Sequence, residues 1–171
     1  RIVVVYRPRA EVTGAGAQTR IAVDQTYRLS VSAKTATARL KLAVEVLAGK
    51  AETVALTVPK GARLLSVSGS FVKDWTTPDA EGQTVVSLVQ GVERPFELML
   101  YAQLNVEGAE GGAGRLSVPE FRLPDAVRET GTIAIMPEKG LSVWPEETVG
   151  LEPVSAGEEP GATRAFRFAQ P

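Results

Sequence analysis

Apolar and polar residues alternate with a period of two along most of this chain, and the alternation changes parity at definite points. Ile21, Val23, Tyr27, Leu29 and Val31 take odd positions, while Arg20, Asp24, Arg28 and Ser32 take even ones. Successive side chains of a strand point to opposite faces, so the segment from Gln18 to Ser32 predicts a half-buried strand. From Arg39 to Val46 the apolar set is Leu40, Leu42, Val44 and Val46, opposed by Arg39, Lys41 and Glu45. Such a reversal needs a turn or a bulge. One uninterrupted strand of about thirty residues would span about 100 Å, against a compact radius of gyration of about 15 Å. The chain therefore doubles back near Ala33 to Thr37. A helix over Ala36 to Leu47, ending at Gly49, is the rival, but it leaves Leu42 and Val46 off its apolar face.

Further strands follow at short intervals. Val54, Leu56 and Val58 alternate before Pro59 and Gly61 break the ladder, Leu65 and Val67 begin a run that ends near Gly69, and Val85 to Val89 is a compact apolar stretch after a loop from Thr76 to Gly82. The clearest strand carries Phe96, Leu98, Leu100, Ala102, Leu104 and Val106 on one face. Its other face holds Glu97, Gln103 and Asn105 together with Met99 and Tyr101, so a second element or a partner is expected over part of it. Glu107 to Gly114 reads as a glycine-rich hairpin or loop. The last third is more broken: Leu116 to Val118, Thr132 to Met136, Leu141 to Trp144 and Ala165 to Phe168 are separated by Pro124, Pro137, Gly140, Pro145, Pro153 and Pro160. Proline removes a ladder donor, so this region is expected to wrap a sheet or form its edge.

Many strands without helical partners predict an all-β fold with little or no helix, an antiparallel β-sandwich, with a partly open β-barrel as the alternative. The length of 171 residues fits one β-rich domain over 1–171, with a possible subdivision near 108–130. Leu56-Thr57-Val58-Pro59 with Arg63-Leu64, and Leu116-Ser117-Val118-Pro119 with Arg122-Leu123, are loosely alike, but proline-terminated strands of this composition arise independently. The strand-like run Ile2 to Tyr6 follows Arg1 directly, which reads as a cut from a longer polypeptide or as a mature product.

Composition narrows the chemistry. The sequence has no histidine and no cysteine, which removes zinc and copper sites built on imidazole or thiolate and the commonest nucleophiles and proton carriers. A formal net charge of -1, from 19 basic and 20 acidic residues without runs of either sign, argues against nucleic-acid binding. No apolar stretch approaches the roughly 18 residues of a spanning helix. Cysteine-free sequences suit both a reducing cytosol and a bacterial envelope.

Several motifs are weighed and set aside. Asp74, Asp79 and Glu81 offer oxygen ligands for a hard cation, but their spacing is not that of the twelve-residue calcium loop, and turn-forming acids explain them equally. Ser70-Phe71-Val72-Lys73 matches Ser-x-x-Lys only in spacing, since that motif works at a helix start. Gly14-Ala15-Gly16 lacks the lysine of a phosphate loop. Asp125, Glu129, Glu146 and Glu147 are available to a hydrolase that uses carboxylates alone, but none is singled out. Trp75 and Trp144 are candidates for stacking on sugar rings, the alternative being that each caps an end of the core.

In strand spacing, in its Arg/Ala/Gly/Val-rich composition and in Val127-Arg128-Glu129-Thr130-Gly131 leading into Thr132-Ile133-Ala134-Ile135, the chain resembles the β-sandwich modules of large bacterial envelope and cell-surface proteins. That resemblance implies an extracytoplasmic, non-catalytic spacer or docking module without a cofactor. It would contact neighbouring domains or another protein; the resemblance carries no site residues, and Met99 and Tyr101 are the expected interface residues because they are apolar groups on the polar side of their strand. A carbohydrate-binding module using Trp75 and Trp144 is the alternative, and a carboxylate-only hydrolase is the second alternative.

Overall fold

The computed structural model describes residues 19–77, 83–108, 114–156 and 161–170. The stretches Ile2 to Tyr6 and Gly14 to Gly16, the acids Asp79 and Glu81, and the tip of the Glu107 to Gly114 hairpin lie outside them. Ten strands and no helix occur among the described residues: β1 (Arg20–Val31), β2 (Ala36–Ala48), β3 (Ala51–Thr57), β4 (Ala62–Ser68), β5 (Val72–Thr76), β6 (Gln83–Val92), β7 (Phe96–Leu104), β8 (Ala126–Pro137), β9 (Glu152–Val154) and β10 (Arg164–Gln170). They form a seven-stranded sheet in the order β4-β7-β2-β1-β8-β10-β9 and a three-stranded sheet in the order β3-β6-β5. The fold is an all-β sandwich.

Period-two patterning decides the register of the large sheet. Tyr27 faces Leu40, Leu40 faces Leu100, and Tyr27 faces Ile133 on its other side, so one row of inward residues crosses four strands. The parity change between β1 and β2 is resolved by a tight turn in which Ser32 Oγ accepts the Thr35 N–H at 3.1 Å and Ser32 N–H donates to Thr35 O at 2.9 Å. Leu40, Leu42, Leu98 and Leu100 from the large sheet and Val54, Leu56, Val86 and Leu88 from the small one are buried in one contiguous core. The chain crosses between layers after β3 at Gly61, whose φ of 88° lies in the left-handed region that costs a side-chain-bearing residue free energy.

Four details depart from the sequence reading. The pairing of β1 with β8 is parallel, within a sheet otherwise antiparallel. Apolar residues inside β8 place it near the sheet centre, with Pro137 at its end, and the edge character expected of the last third belongs to β9, beyond β10. Leu116 to Val118 and Leu141 to Trp144 are not strands, although Leu116, Val118, Leu141 and Val143 still pack on the core. A bulge between Leu64 and Ser66 changes parity within β4, so Val67 is buried while Leu65 is 40% exposed.

The segment through Phe121 and Leu123 closes one side of the sandwich. Both residues are buried, and Arg122 O accepts the Thr57 N–H at 2.8 Å, which attaches the segment to the β3 edge of the small sheet. The two similar Pro-terminated stretches thus meet at Thr57 and Arg122, but only the first is a strand, so they are not repeated sheet units.

Candidate functional site

Met99 and Tyr101 lie on the outer face of the large sheet. Lys41 and Arg39 stand opposite them on β2, and Ser68 and Ser66 on β4. Tyr101 is 38% exposed and Met99 half-buried. The C-terminal strands β10 and β9 occupy the far edge of the sheet, with β2, β1 and β8 between them and β7, so they do not lie over this pair.

Trp75 sits on β5, a strand rather than the loop expected from Lys73 to Gly82, and it is half-buried against the core. Its neighbour Asp74 turns a carboxylate oxygen back to the Trp75 N–H at 2.8 Å. Trp75 and Thr77 form one side of an open depression of about 550 Å³, whose other side is the turn Val58, Pro59, Lys60 and the start of β4 at Arg63. Trp144 is placed by the same alternation that builds strands: Leu141 and Val143 pack inward, and Trp144 projects outward, 68% exposed. That segment is held by Arg164 Nε donating to Val143 O at 3.2 Å and by an ion pair of Arg115 with Glu146 at 2.9 Å.

The candidate acids are dispersed. Ser70 and Lys73 flank the start of β5, with no helix to align them. Among the described residues no group of three acids is placed to hold a metal ion. A second shallow depression, of about 410 Å³, contains Asp24, Glu45 and Glu97. Each of these acids has its own partner: Thr130 Oγ1 donates to Asp24 at 3.0 Å, Lys41 Nζ meets Glu97 at 2.7 Å, and Arg128 meets Glu45 at 4.0 Å.

The polar group that the structure does single out is Glu129, which joins a buried network. Glu129 Oε2 accepts from Gln25 Nε2 at 2.5 Å and Oε1 from the Leu123 N–H at 3.1 Å, Tyr27 donates its hydroxyl hydrogen to Gln25 Oε1 at 2.8 Å, and the Phe121 N–H donates to the Tyr27 oxygen at 3.2 Å. Burial pushes the Glu129 carboxyl up from its ordinary 4.5, against the hydrogen bond from Leu123, the charge of Arg122 and the hydrogen bond from Gln25. Burial also raises the Tyr27 phenol well above its ordinary value. Every partner in this network belongs to the chain itself, and its effect is to fasten the segment from Phe121 to Leu123 onto β1 and β8. Sequence reasoning missed it. The available signal was Gln25, a polar residue at a position whose parity is otherwise apolar in β1 and which is only 1% exposed.

No protein-family model matches the chain, and no curated protein matches it in sequence. Solved structures do match in fold. An M1 zinc metallopeptidase from Deinococcus radiodurans superposes with a TM-score of 0.52 at 13% identity, covering 92% of this chain and 40% of that one. Leukotriene A4 hydrolase from Saccharomyces cerevisiae superposes with a TM-score of 0.55 at 16% identity, covering 96% of this chain and 30% of that one. The chain thus spans less than half the length of the structures it resembles. The matched part is their N-terminal β-sandwich domain, which lacks the zinc site. At this identity the likeness is one of fold. It corrects the envelope-module resemblance: strand spacing and composition specify a two-layer β domain, and a domain of that kind is equally part of peptidases.

Proposed function

We propose that the chain is a non-catalytic structural module that packs against neighbouring domains of a larger protein. The observation that carries this reading is the superposition of 92% of the chain on only 40% of a multidomain peptidase, on a domain away from the catalytic site. The Glu129 network supports it, because the carboxylate is engaged by the chain's own Gln25 and Leu123. Hydroxyl-radical footprinting tests it by comparing the isolated chain with the native polypeptide in which it occurs. Protection of Tyr101 or Trp144 in the native polypeptide is expected, and equal labelling of both residues in the two samples overturns the reading. Chelator-sensitive hydrolysis of aminoacyl anilides by the chain supplied with zinc would overturn its non-catalytic half.

The exposed indole of Trp144 favours a second reading, a carbohydrate contact by stacking on a sugar ring. Binding to a glycan array that is lost in Trp144→Ala supports it, and the absence of such binding removes it.

A further inference from the structure

We propose that the depression beside Trp75 is a docking site for an extended acidic peptide segment of a partner protein. It lies at an open corner of the sandwich, where β4 is the edge of the large sheet and β5 the edge of the small one. Among the described residues each strand is paired on one side only, which leaves main-chain donors and acceptors for an added extended segment. The far wall is pre-formed: Ala62 N–H donates to Pro59 O at 3.1 Å, and Asn105 N–H donates to Gly61 O at 3.0 Å, which ties the turn to the end of β7.

The charge of the site selects the partner. Lys60 and Arg63 are exposed on this wall, and among the described residues neither is matched by a carboxylate. Lys41, Lys50, Arg115 and Arg122 each pair with a glutamate within 3 Å, whereas Lys60 and Arg63, like Arg39 and Lys73, have no such partner among the described residues; what sets Lys60 and Arg63 apart is that both line one depression. Two cations without a carboxylate partner among the described residues, beside Val58, Pro59 and Trp75, attract a chain that alternates carboxylates with apolar side chains. They repel a second basic edge of the same kind. An open shape of about 550 Å³ suits a segment laid along it better than an enclosed small molecule. Arg63 shares the outer face of the large sheet with Gln103 and Tyr101, but Trp75 belongs to the small sheet, so a response at Trp75 separates this site from the Tyr101 face, and its failure would leave the module reading in place.

The probe is an acetylated and amidated Glu-Val-Glu-Leu-Glu-Val hexapeptide, titrated into the 15N-labelled chain at low salt. A saturable shift of the Trp75 indole resonance and of the β4 amides is expected. Affinity should fall at least tenfold in the Lys60→Ala/Arg63→Ala variant, whose substitutions are at exposed positions, and fall again with added salt. The proposal is overturned by no saturable shift at millimolar peptide, by equal affinity in the double variant, or by equal affinity for the peptide with glutamine in place of glutamate. It is likewise overturned if the shifts fall around Tyr101 and not around Trp75.

Discussion

Gln25 and Glu129, 104 residues apart in sequence, meet at 2.5 Å between two parallel strands. Their contact orders the centre of the fold, because Glu129 also accepts the Leu123 N–H and Gln25 also accepts the Tyr27 hydroxyl. Removing the carboxylate in Glu129→Ala leaves the Leu123 N–H and the Gln25 amide without their acceptor. Leaving buried donors unsatisfied costs about 1–3 kcal/mol. Glu129→Gln retains one acceptor but presents an amide N–H₂ to a donor, so it is expected to cost less than alanine and more than nothing. Urea unfolding checks the order. Two variants within about 0.5 kcal/mol of the parent, the range of ordinary surface changes, would show that the network does not hold the segment.

The same carboxylate sets a pH dependence whose sign is definite. Glu129 is raised above 4.5 in the folded state by burial, so the native chain retains a proton that the unfolded chain has released. The native state binds more protons in that window, and stability falls as pH rises through it. The contribution is fully present below 4.5 and is lost once pH passes the raised folded value. Subtracting the stability curve of Glu129→Gln from that of the parent should give a difference that declines from pH 4.5 upward. A difference that grows with pH would mean that hydrogen bonds to the charged form outweigh burial.

Tyr27 supplies the matching effect at alkaline pH. Its phenol is raised above 10.0 chiefly by burial, so its contribution is present below that value and lost as pH climbs through the folded one. Tyr27→Phe removes the acceptor of the Phe121 N–H and the donor to Gln25. The cost at neutral pH is expected at about 1–3 kcal/mol. The variant should lose part of the alkaline decline in stability, and an unchanged alkaline limb, measured by circular dichroism, would contradict the assignment.

Gly131 is fixed by close approach rather than by backbone angle. A Cβ built there would lie 2.3 Å from Gln25 O and 2.7 Å from the Phe168 ring, and the first of these is main chain in the middle of β1. Gly131→Ala therefore forces β1 and β8 apart at the site of the network, with a cost of about 1–3 kcal/mol or more. A melting temperature equal to that of the parent would show that the strands separate freely there.

Most of the layer structure was legible because one sheet face is buried and the side-chain period is two. β2 and β7 carry that signal without interruption, and β1 carries it with Gln25 as the polar member of its inward row and Ala22 buried off it. What escaped has physical reasons. Trp75 lies on β5, a short strand with two exposed charged residues, Lys73 and Asp74, whose pattern is that of a loop. β9 is three residues long and contains Pro153, and it exists because β10 offers it an edge. The parallel placement of β8 beside β1 depends on contacts far apart in sequence, to which local alternation is blind. The Gln25, Tyr27 and Glu129 network is legible only as an exception to parity, and its partners across the sheet carry no local mark.

The bulge in β4 gives the sharpest test of where local alternation fails. Leu65 and Val67 share parity and would point to the same face of a regular strand. Pairing with β7 passes from Leu64 opposite Ala102 to Ser66 opposite Tyr101, so Leu65 is the extra residue. Val67 is buried at 8% exposure and Leu65 is at 40%. Val67→Ala removes two buried carbons and is expected to cost about 1.6 kcal/mol, at roughly 0.8 kcal/mol for each. Leu65→Ala, although it removes more side chain, should stay within about 0.5 kcal/mol of the parent. Chemical denaturation of the two variants side by side decides the matter: a leucine substitution as costly as the valine one would mean that β4 runs in regular register, with both residues in the core.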